Sequence, residues 1–270
     1  MIAAGAGAER LARAFAEAGR PCFVPYVMAG FPDPAASLAH ARVLARHADV
    51  LELGVPFSDP LADGPTIQAA GQRALAAGTR PETALEIAAE LAGGPPVVVM
   101  TYVNTVLAAG VRPFLERAAK AGVAGLIVPD LPVDEAGELR EQAARAGVAL
   151  VPLAAPTSSD ERLAAIGRAA QGFVYCVAVT GVTGGHVAID EDLRAFLSRA
   201  RAAIDVPLVV GFGVRTPGEA AAIGALADGV VIASQIVRLI DEAPDQAAAE
   251  AAVEAFAAKV RAALAGLPAD

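Results

Sequence analysis

The amino-acid sequence predicts an α/β protein built as a single-domain (β/α)8 TIM barrel. Eight short apolar runs rich in β-branched residues alternate with amphipathic helical segments along the chain. Seven strand-to-strand steps between Val24 and Val230 average about 29 residues, which is the size of one βαβ unit. The strands are apolar on both faces, as parallel strands covered by helices are. The strand count and the length of 270 residues fit a barrel, and a doubly wound open sheet is the alternative fold.

Proline and glycine mark the element boundaries in order along the chain. Gly19 ends a first helix, which precedes the first strand and is extra to the barrel. Asp33 and Pro34 provide the cap and the first turn of the next helix. Gly54 closes the second strand, and Gly122 ends the helix before the fourth strand.

The predicted strands are short and rich in Val, Ile and Leu, and they cover residues 22–27, 49–54, 97–100, 123–129, 148–153, 172–178, 206–210 and 229–233. The predicted helices cover residues 9–18, 33–47, two segments of 64–92 separated by a break at 78–81, 112–121, 134–146, 159–170, 190–203, 216–226, 234–241 and 245–264. The helix at 234–241 is a short one that follows the eighth strand. Because no linker or change in composition divides the chain, residues 1–270 are expected to form one domain.

The composition indicates a globular protein with a substantial core, since 55% of the residues are hydrophobic and 19% are charged. The net charge of −9 and the lack of a basic run argue against nucleic acid and anionic membranes as partners. No apolar run approaches the length of a membrane span, and the first residues lack the basic region of a signal peptide, so a cytoplasmic protein is expected. Cys22 and Cys176 are expected to be buried, reduced thiols. The three scattered histidines predict no metal site.

A buried strand running into a stiff loop carries the first candidate site residues. Glu52 lies near the end of the second strand, and Asp63 lies on the loop that Pro56, Pro60 and Pro65 hold rigid. The alternative interpretation is a buried glutamate satisfied by a neighbour, with an aspartate capping the following helix. A glutamate in so apolar a strand is costly unless it has a partner or a function. We therefore predict that both carboxyl groups are functional.

The ends of the other predicted strands carry polar side chains that would meet at the same edge of the barrel, where barrel enzymes bind substrate. These are Tyr102, Asn104 and Asp130, with Tyr175 inside the sixth strand. Apolar residues would contact the remainder of a substrate, namely Phe23, Met100, Ile127, Leu153 and Phe212.

Glycine-rich turns follow the last three strands, at residues 181–185 and 211–213 and at Ser234, where a helix begins. Backbone N–H groups in such turns and at helix N-termini bind phosphate. The alternative is that each glycine only forms a tight turn. Three such turns at neighbouring strand ends favour a phosphate. The residues thus predict a barrel enzyme that acts on a small phosphorylated substrate by acid–base chemistry.

The segment from Leu51 to Thr66 closely resembles the signature of the tryptophan synthase alpha chain family. The resemblance extends over almost the whole chain and includes the segments Phe23–Tyr26, Tyr102–Asn104, Pro129–Pro132, Thr180–Gly184 and Gly211–Val214. It implies cleavage of indole-3-glycerol phosphate into indole and glyceraldehyde 3-phosphate, which is a retro-aldol reaction. No metal or other cofactor is implied for this chain.

The resemblance also assigns roles to individual residues. Glu52 matches the general acid–base, which protonates indole C3 and takes the proton of the glycerol hydroxyl as the C–C bond breaks. Asp63 matches the carboxylate that holds the indole N–H. Tyr175 matches a residue beside the glycerol, and Thr183 matches a contact to Asp63.

Phosphate contacts are implied for Gly184, Gly213 and Ser234. The family usually has glycine before this serine, whereas this chain has Ala233, whose methyl group would crowd the phosphate or require a different turn.

A partner is implied as well, namely the pyridoxal-phosphate-dependent beta chain in an α2β2 tetramer. Asp59 matches a residue that pairs with a beta-chain lysine. The loop at residues 54–65 is expected to expose apolar side chains beside it, namely Val55, Pro56, Phe57, Pro60 and Leu61. Two alternatives are a stand-alone lyase that releases free indole and a non-catalytic regulatory subunit. Glu52 and Asp63 together argue against the second.

Overall fold

The computed structural model describes residues 5–177, 191–211 and 213–267. Its strands are β1 (Cys22–Met28), β2 (Leu51–Gly54), β3 (Val97–Met100), β4 (Val123–Ile127), β5 (Ala149–Val151), β6 (Leu153–Ala154), β7 (Val174–Val177), β8 (Leu208–Gly211) and β9 (Gly229–Ile232). Its helices are α1 (Ala6–Ala18), α2 (Pro34–Ala45), α3 (Pro65–Ala76), α4 (Pro81–Glu90), α5 (Val103–Ala108), α6 (Val111–Lys120), α7 (Gly137–Arg145), α8 (Asp160–Ala169), α9 (Glu191–Ala203), α10 (Pro217–Gly224), α11 (Ser234–Asp241) and α12 (Gln246–Ala265).

The strands form one parallel sheet that is closed into a nearly complete barrel. Its order is β5-β4-β3-β2-β1-β9-β8-β7-β6, so the first and last strands of the chain lie side by side. The two edge strands, β5 and β6, are consecutive in the chain and are separated by Pro152 alone. Proline has no backbone N–H to donate to a sheet, which explains why the single strand predicted at 148–153 is divided in two. The barrel prediction is confirmed.

Helix α1 closes the end of the barrel at which the strands begin. Its Leu11 is fully buried in a cluster with Val24 and Val98 from the barrel interior. Gly7 lies so close to β4 that a Cβ atom there would be 2.1 Å from the Ala124 carbonyl oxygen. Access to the barrel is therefore from the opposite end, where the strands finish.

A charged cluster ties the chain together at this closed end. Asp49 accepts two hydrogen bonds from Arg20, each of 2.9 Å, and one of 2.8 Å from the backbone N–H of Phe23. Arg261 of α12 donates to the same carboxylate at 3.2 Å. The cluster joins the starts of β1 and β2 to the last helix, and because its charges are paired their burial is tolerated.

Most helix predictions agree with the structure, with two differences. The break at 78–81 separates α3 from α4 as expected. Helix α5 was not predicted, and α7 begins at Gly137 rather than at residue 134. At the start of α5, the backbone N–H of Val103 donates a 2.9 Å hydrogen bond to the Asp130 side chain. The N-terminus of α5 is therefore capped by a residue that follows β4.

Cys22 and Cys176 are both buried and free, as expected. None of the helices in the described ranges is long and apolar enough to cross a membrane. In the same ranges, no group of three or more histidine, cysteine or acidic side chains is arranged to hold a metal ion.

Candidate active site

Glu52 projects from β2 into the open half of the barrel. Strand β2 lies between β1 and β3, and Glu52 is paired in register with Tyr26 on one side and Val98 on the other. The side chain is 1% exposed, and its Oε2 atom has no hydrogen-bond partner among the described residues. Burial, together with the smaller effect of the nearby Asp63 charge, raises the pKa of Glu52 to about 8. At neutral pH, Glu52 is therefore mostly protonated and can act as an acid.

Asp63 reaches the same space from the loop after β2. It is 9% exposed, and the Tyr102 hydroxyl donates a 3.2 Å hydrogen bond to its Oδ2 atom. The Tyr102 oxygen in turn accepts a 3.0 Å hydrogen bond from the backbone N–H of Ala62. Burial raises the pKa of Asp63 to about 6, and the hydrogen bond from Tyr102 opposes this rise. Asp63 is therefore mostly ionised at neutral pH.

The two carboxyl groups thus differ in protonation state although they share one cavity. A small cavity is lined by Glu52, Asp63, Tyr26 and Tyr175, among others. One proton donor beside one carboxylate suits general acid–base chemistry.

A larger cavity of about 530 Å³ adjoins this space and also contacts Asp63 and Tyr175. Its walls include Met100, Ile127 and Leu153, three of the five apolar residues predicted to contact substrate. Together, the two cavities offer an acidic end and a wide apolar end, which suits a ligand with one polar and one aromatic half.

Gly213 and Ser234 line the same small cavity as Asp63. Gly213 has a φ of 83°, a left-handed conformation that favours glycine. Ser234 is the first residue of α11, and the preceding residue, Ala233, makes no side-chain capping bond to that helix. The first N–H groups of α11 are therefore available to an anion in the cavity. Thr183, Gly184 and Phe212 lie outside the described residues.

Phe23 does not contact either cavity, contrary to the sequence prediction. It is fully buried and packs in the core cluster between the strands and the surrounding helices. Side chains alternate along a strand, so Phe23 and Tyr26 face opposite sides of β1. Tyr26, which the sequence analysis missed, lines the small cavity instead. Its ring occupies the space above Gly54, where a Cβ atom would lie 1.8 Å from the Tyr26 oxygen.

The polar residues predicted at the strand ends have different roles. Tyr102 and Tyr175 are both buried; Tyr175 lines both cavities, whereas Tyr102 lines neither and contacts the site through its hydrogen bond to Asp63. Asp130 lines the larger cavity but also caps α5, and Asn104 is exposed on that helix.

The loop that carries Asp63 exposes less apolar surface than predicted. Val55 and Pro56 are buried, and Phe57 stacks on Tyr102 with ring centroids 4.8 Å apart. Leu61 is 91% exposed at the tip, and Asp59 is exposed beside it. The exposed part of the loop is therefore a short tip rather than the whole segment.

Comparisons with known proteins identify the family. The model of the family described as "Tryptophan synthase alpha chain" matches residues 12–265. A tryptophan synthase alpha chain from Halorhodospira halophila is 49% identical to this chain over 87% of each protein.

Solved structures agree with this assignment. The tryptophan synthase alpha subunit of Legionella pneumophila is 32% identical, with a TM-score of 0.87 over 96% of this chain and 99% of that one. A chain from the tryptophan synthase α2β2 complex of the hyperthermophile Pyrococcus furiosus is 38% identical, with a TM-score of 0.83 over 89% of this chain and 98% of that one. The chain therefore belongs to the tryptophan synthase alpha chain family, carbon–carbon lyases that cleave indole-3-glycerol phosphate into indole and glyceraldehyde 3-phosphate.

Proposed function

We propose that this chain performs the cleavage with Glu52 as the general acid–base and Asp63 as the carboxylate that binds the indole N–H. The observation that carries this proposal is the difference between the two pKa values, about 8 for Glu52 and about 6 for Asp63. At neutral pH, one group holds the proton that the reaction needs and the other holds a negative charge.

The reaction uses both the Glu52 carboxyl group and the Asp63 carboxylate. Glu52 donates its proton to indole C3, and the ring becomes a positively charged indolenine. The Asp63 carboxylate accepts a hydrogen bond from the ring N–H and stabilises that charge. Glu52, now ionised, takes the proton of the adjacent glycerol hydroxyl as the C–C bond breaks to form indole and the aldehyde. Tyr175 lies beside the glycerol, and we assign Thr183 a contact to Asp63.

This scheme uses side-chain acids and bases alone, so we propose that the chain itself holds no cofactor. Pyridoxal phosphate would belong to the partner beta chain, which consumes the indole. We also propose that residues 1–270 form one domain, which the continuous strand order supports. A cytoplasmic location fits two buried cysteines that remain unpaired.

The phosphate of the substrate is assigned to Gly184, Gly213 and Ser234. The left-handed turn at Gly213 and the open N-terminus of α11 support this assignment. Tyr102 and Phe212 are assigned to the substrate as well.

Glycerol phosphate is expected to stabilise the protein against thermal unfolding, whereas glycerol at the same concentration is not. Ligand at 100 times its Kd adds about 2.7 kcal/mol to the free energy of unfolding. Ser234→Asp should abolish the shift because the new carboxylate repels the phosphate, although aspartate suits the start of a helix. The neutral variant Ser234→Asn is the matched control and should keep most of the shift. Equal melting shifts with glycerol and glycerol phosphate would contradict the phosphate site.

We further propose that the tip of the Asp63 loop binds a beta chain in an α2β2 tetramer, the assembly named for the tryptophan synthase of Pyrococcus furiosus. Leu61 is the most exposed large hydrophobic residue among those described, and Leu107 on α5 is 58% exposed. Asp59, exposed next to the tip, would pair with a lysine of the beta chain. The stacked Phe57 and Tyr102 rings hold this loop and so reduce the entropy that binding costs.

Asp59→Ala is expected to leave the basal cleavage rate nearly unchanged and to raise the beta-chain concentration needed for half-maximal activation by roughly 10-fold. A titration of the beta chain against the rate of indole release measures this. Glu86→Ala, which removes an exposed carboxylate from α4, is the control and should match the parent.

Superimposable curves for the parent and Asp59→Ala would remove Asp59 from the interface. A parent whose rate does not respond to the beta chain would instead favour the second candidate function, a stand-alone lyase that releases free indole.

A further inference from the structure

Gln68 joins the loop that carries Asp63 to the helix that follows it. It lies in the first turns of α3 and is half-buried. Its side-chain Nε2 donates a 2.9 Å hydrogen bond to the backbone carbonyl of Asp63 and a longer one, of 3.4 Å, to the carbonyl of Pro60. The Pro60 carbonyl also accepts a 3.0 Å hydrogen bond from the Asp63 N–H. The amide of Gln68 therefore binds both ends of the turn at residues 60–63.

This turn needs such a support because it is not part of the sheet. It follows the end of β2, and Gly64, the N-cap of α3, has no side chain with which to fix the helix start. The tip of this turn is not covered by other residues, since the side chain of Leu61 is almost fully exposed. Without Gln68, the half-buried carbonyl of Asp63 would lose a hydrogen-bond donor, which costs free energy. We therefore expect the backbone of the turn to shift in its absence.

The position of the Asp63 carboxylate depends on two separate attachments. Tyr102 binds its Oδ2 atom from β3's end, and Gln68 binds its backbone carbonyl from α3. The first orients the side chain, whereas the second fixes the point from which the side chain extends. A displacement of about 1 Å in a catalytic group lowers the rate of an enzyme by as much as ~100-fold.

We propose that Gln68 is a positioning residue for the cleavage reaction, which holds the Asp63 backbone so that its carboxylate stays in place for the indole N–H. This inference rests on the proposed function of Asp63. Gln68 lines neither cavity, and it acts on the substrate only through Asp63.

Gln68→Met tests the proposal because methionine has a similar length but no donor. We expect kcat to fall about 10-fold with a smaller change in KM, since Asp63 binds the ring more strongly once it is charged. Gln72→Met is the matched control, since Gln72 is exposed one turn later on the same helix; it should have the parental kcat. Gln68→Glu, which has the same shape but faces both carbonyls with an acceptor, should lose at least as much as Gln68→Met. Parental kcat in both Gln68 variants would overturn the proposal.

A double-mutant cycle with Asp63→Asn separates positioning from general stability. If Gln68 acts through Asp63, adding Gln68→Met to Asp63→Asn should lower the residual kcat by less than about 2-fold. A further loss of about 10-fold in that background would show a purely structural role and overturn the proposal. Asp63→Asn at the parental rate would instead overturn the proposed function of Asp63, and this inference with it.

Discussion

Glu52→Gln is expected to lower the cleavage rate by about 10²–10⁴-fold while the protein still folds and binds its substrate. Glutamine has nearly the same shape as glutamate but cannot give a proton to indole C3 or take one from the glycerol hydroxyl. The pKa of about 8 that burial gives Glu52 is what keeps its proton available at neutral pH. The measurement is indole release under single-turnover conditions, which separates the chemical step from product release.

The control is Glu86→Gln, which changes an exposed glutamate of α4 and should leave the rate unchanged. Activity of Glu52→Gln within a few-fold of the parent would contradict the assignment. Binding of glycerol phosphate by the variant confirms that the loss lies in the chemistry.

The same variant reports what burial of Glu52 costs the fold. Because its pKa is raised from 4.5 in the unfolded chain to about 8 in the folded chain, the folded state binds the proton more tightly. The contribution of this tighter proton binding to the free energy of unfolding is full below pH 4.5 and is lost as the pH rises through about 8. Glu52→Gln has no such loss, so its melting temperature relative to the parent should rise between pH 5 and pH 8.5.

The fold could be predicted because its signals are local and repeated. Each βα unit contributes a short apolar run and a helix with glycine or proline at its ends, and the repeat fixes the strand count. The division between β5 and β6 had a signal that was missed, since Pro152 cannot donate to a neighbouring strand. Helix α5 had no local signal. Its first turn is capped by Asp130, which lies more than 25 residues later in the chain.

The sequence singled out the two carboxyl groups that share a cavity in the structure, and it described their surroundings less well. A glutamate in an apolar strand stands out in any sequence because its burial is costly. Phe23 and Tyr26 belong to one continuous aromatic and apolar strand, and only the pairing of Tyr26 with Glu52 shows which of the two faces the cavity. Gln68 carries no sequence signal either, because glutamine on a helix is ordinary and its function depends on two backbone carbonyls of the preceding loop.

The loop tip illustrates the same limit. Three prolines predicted a stiff segment, and the sequence suggested that its apolar side chains are exposed. Val55 lies against the barrel instead, because it continues the hydrogen bonding of β2 with a 2.9 Å bond to the Met100 carbonyl. Exposure of a loop residue is decided by where the chain leaves the sheet, which the sequence does not mark.

Asp63→Asn is expected to lower the cleavage rate by about 10²–10³-fold, the loss seen when one group that stabilises a transition-state charge is removed. Asparagine can still accept the Tyr102 hydrogen bond and the indole N–H, but it carries no charge to stabilise the protonated ring. Asp192→Asn is the control. Asp192 is exposed in the first turn of α9 and lines neither cavity, so this variant should have nearly the parental rate.

The pH dependence of the rate gives the second readout of Asp63→Asn. In the parent, kcat/KM should rise as Asp63 ionises near pH 6 and fall as Glu52 ionises near pH 8. The variant should lose the acidic limb because no carboxyl group titrates at this position. Its alkaline limb should move to lower pH, since the negative charge of Asp63 is one of the causes that raise the pKa of Glu52. An unchanged acidic limb would assign that titration to another group and would remove Asp63 from the charge-stabilising role.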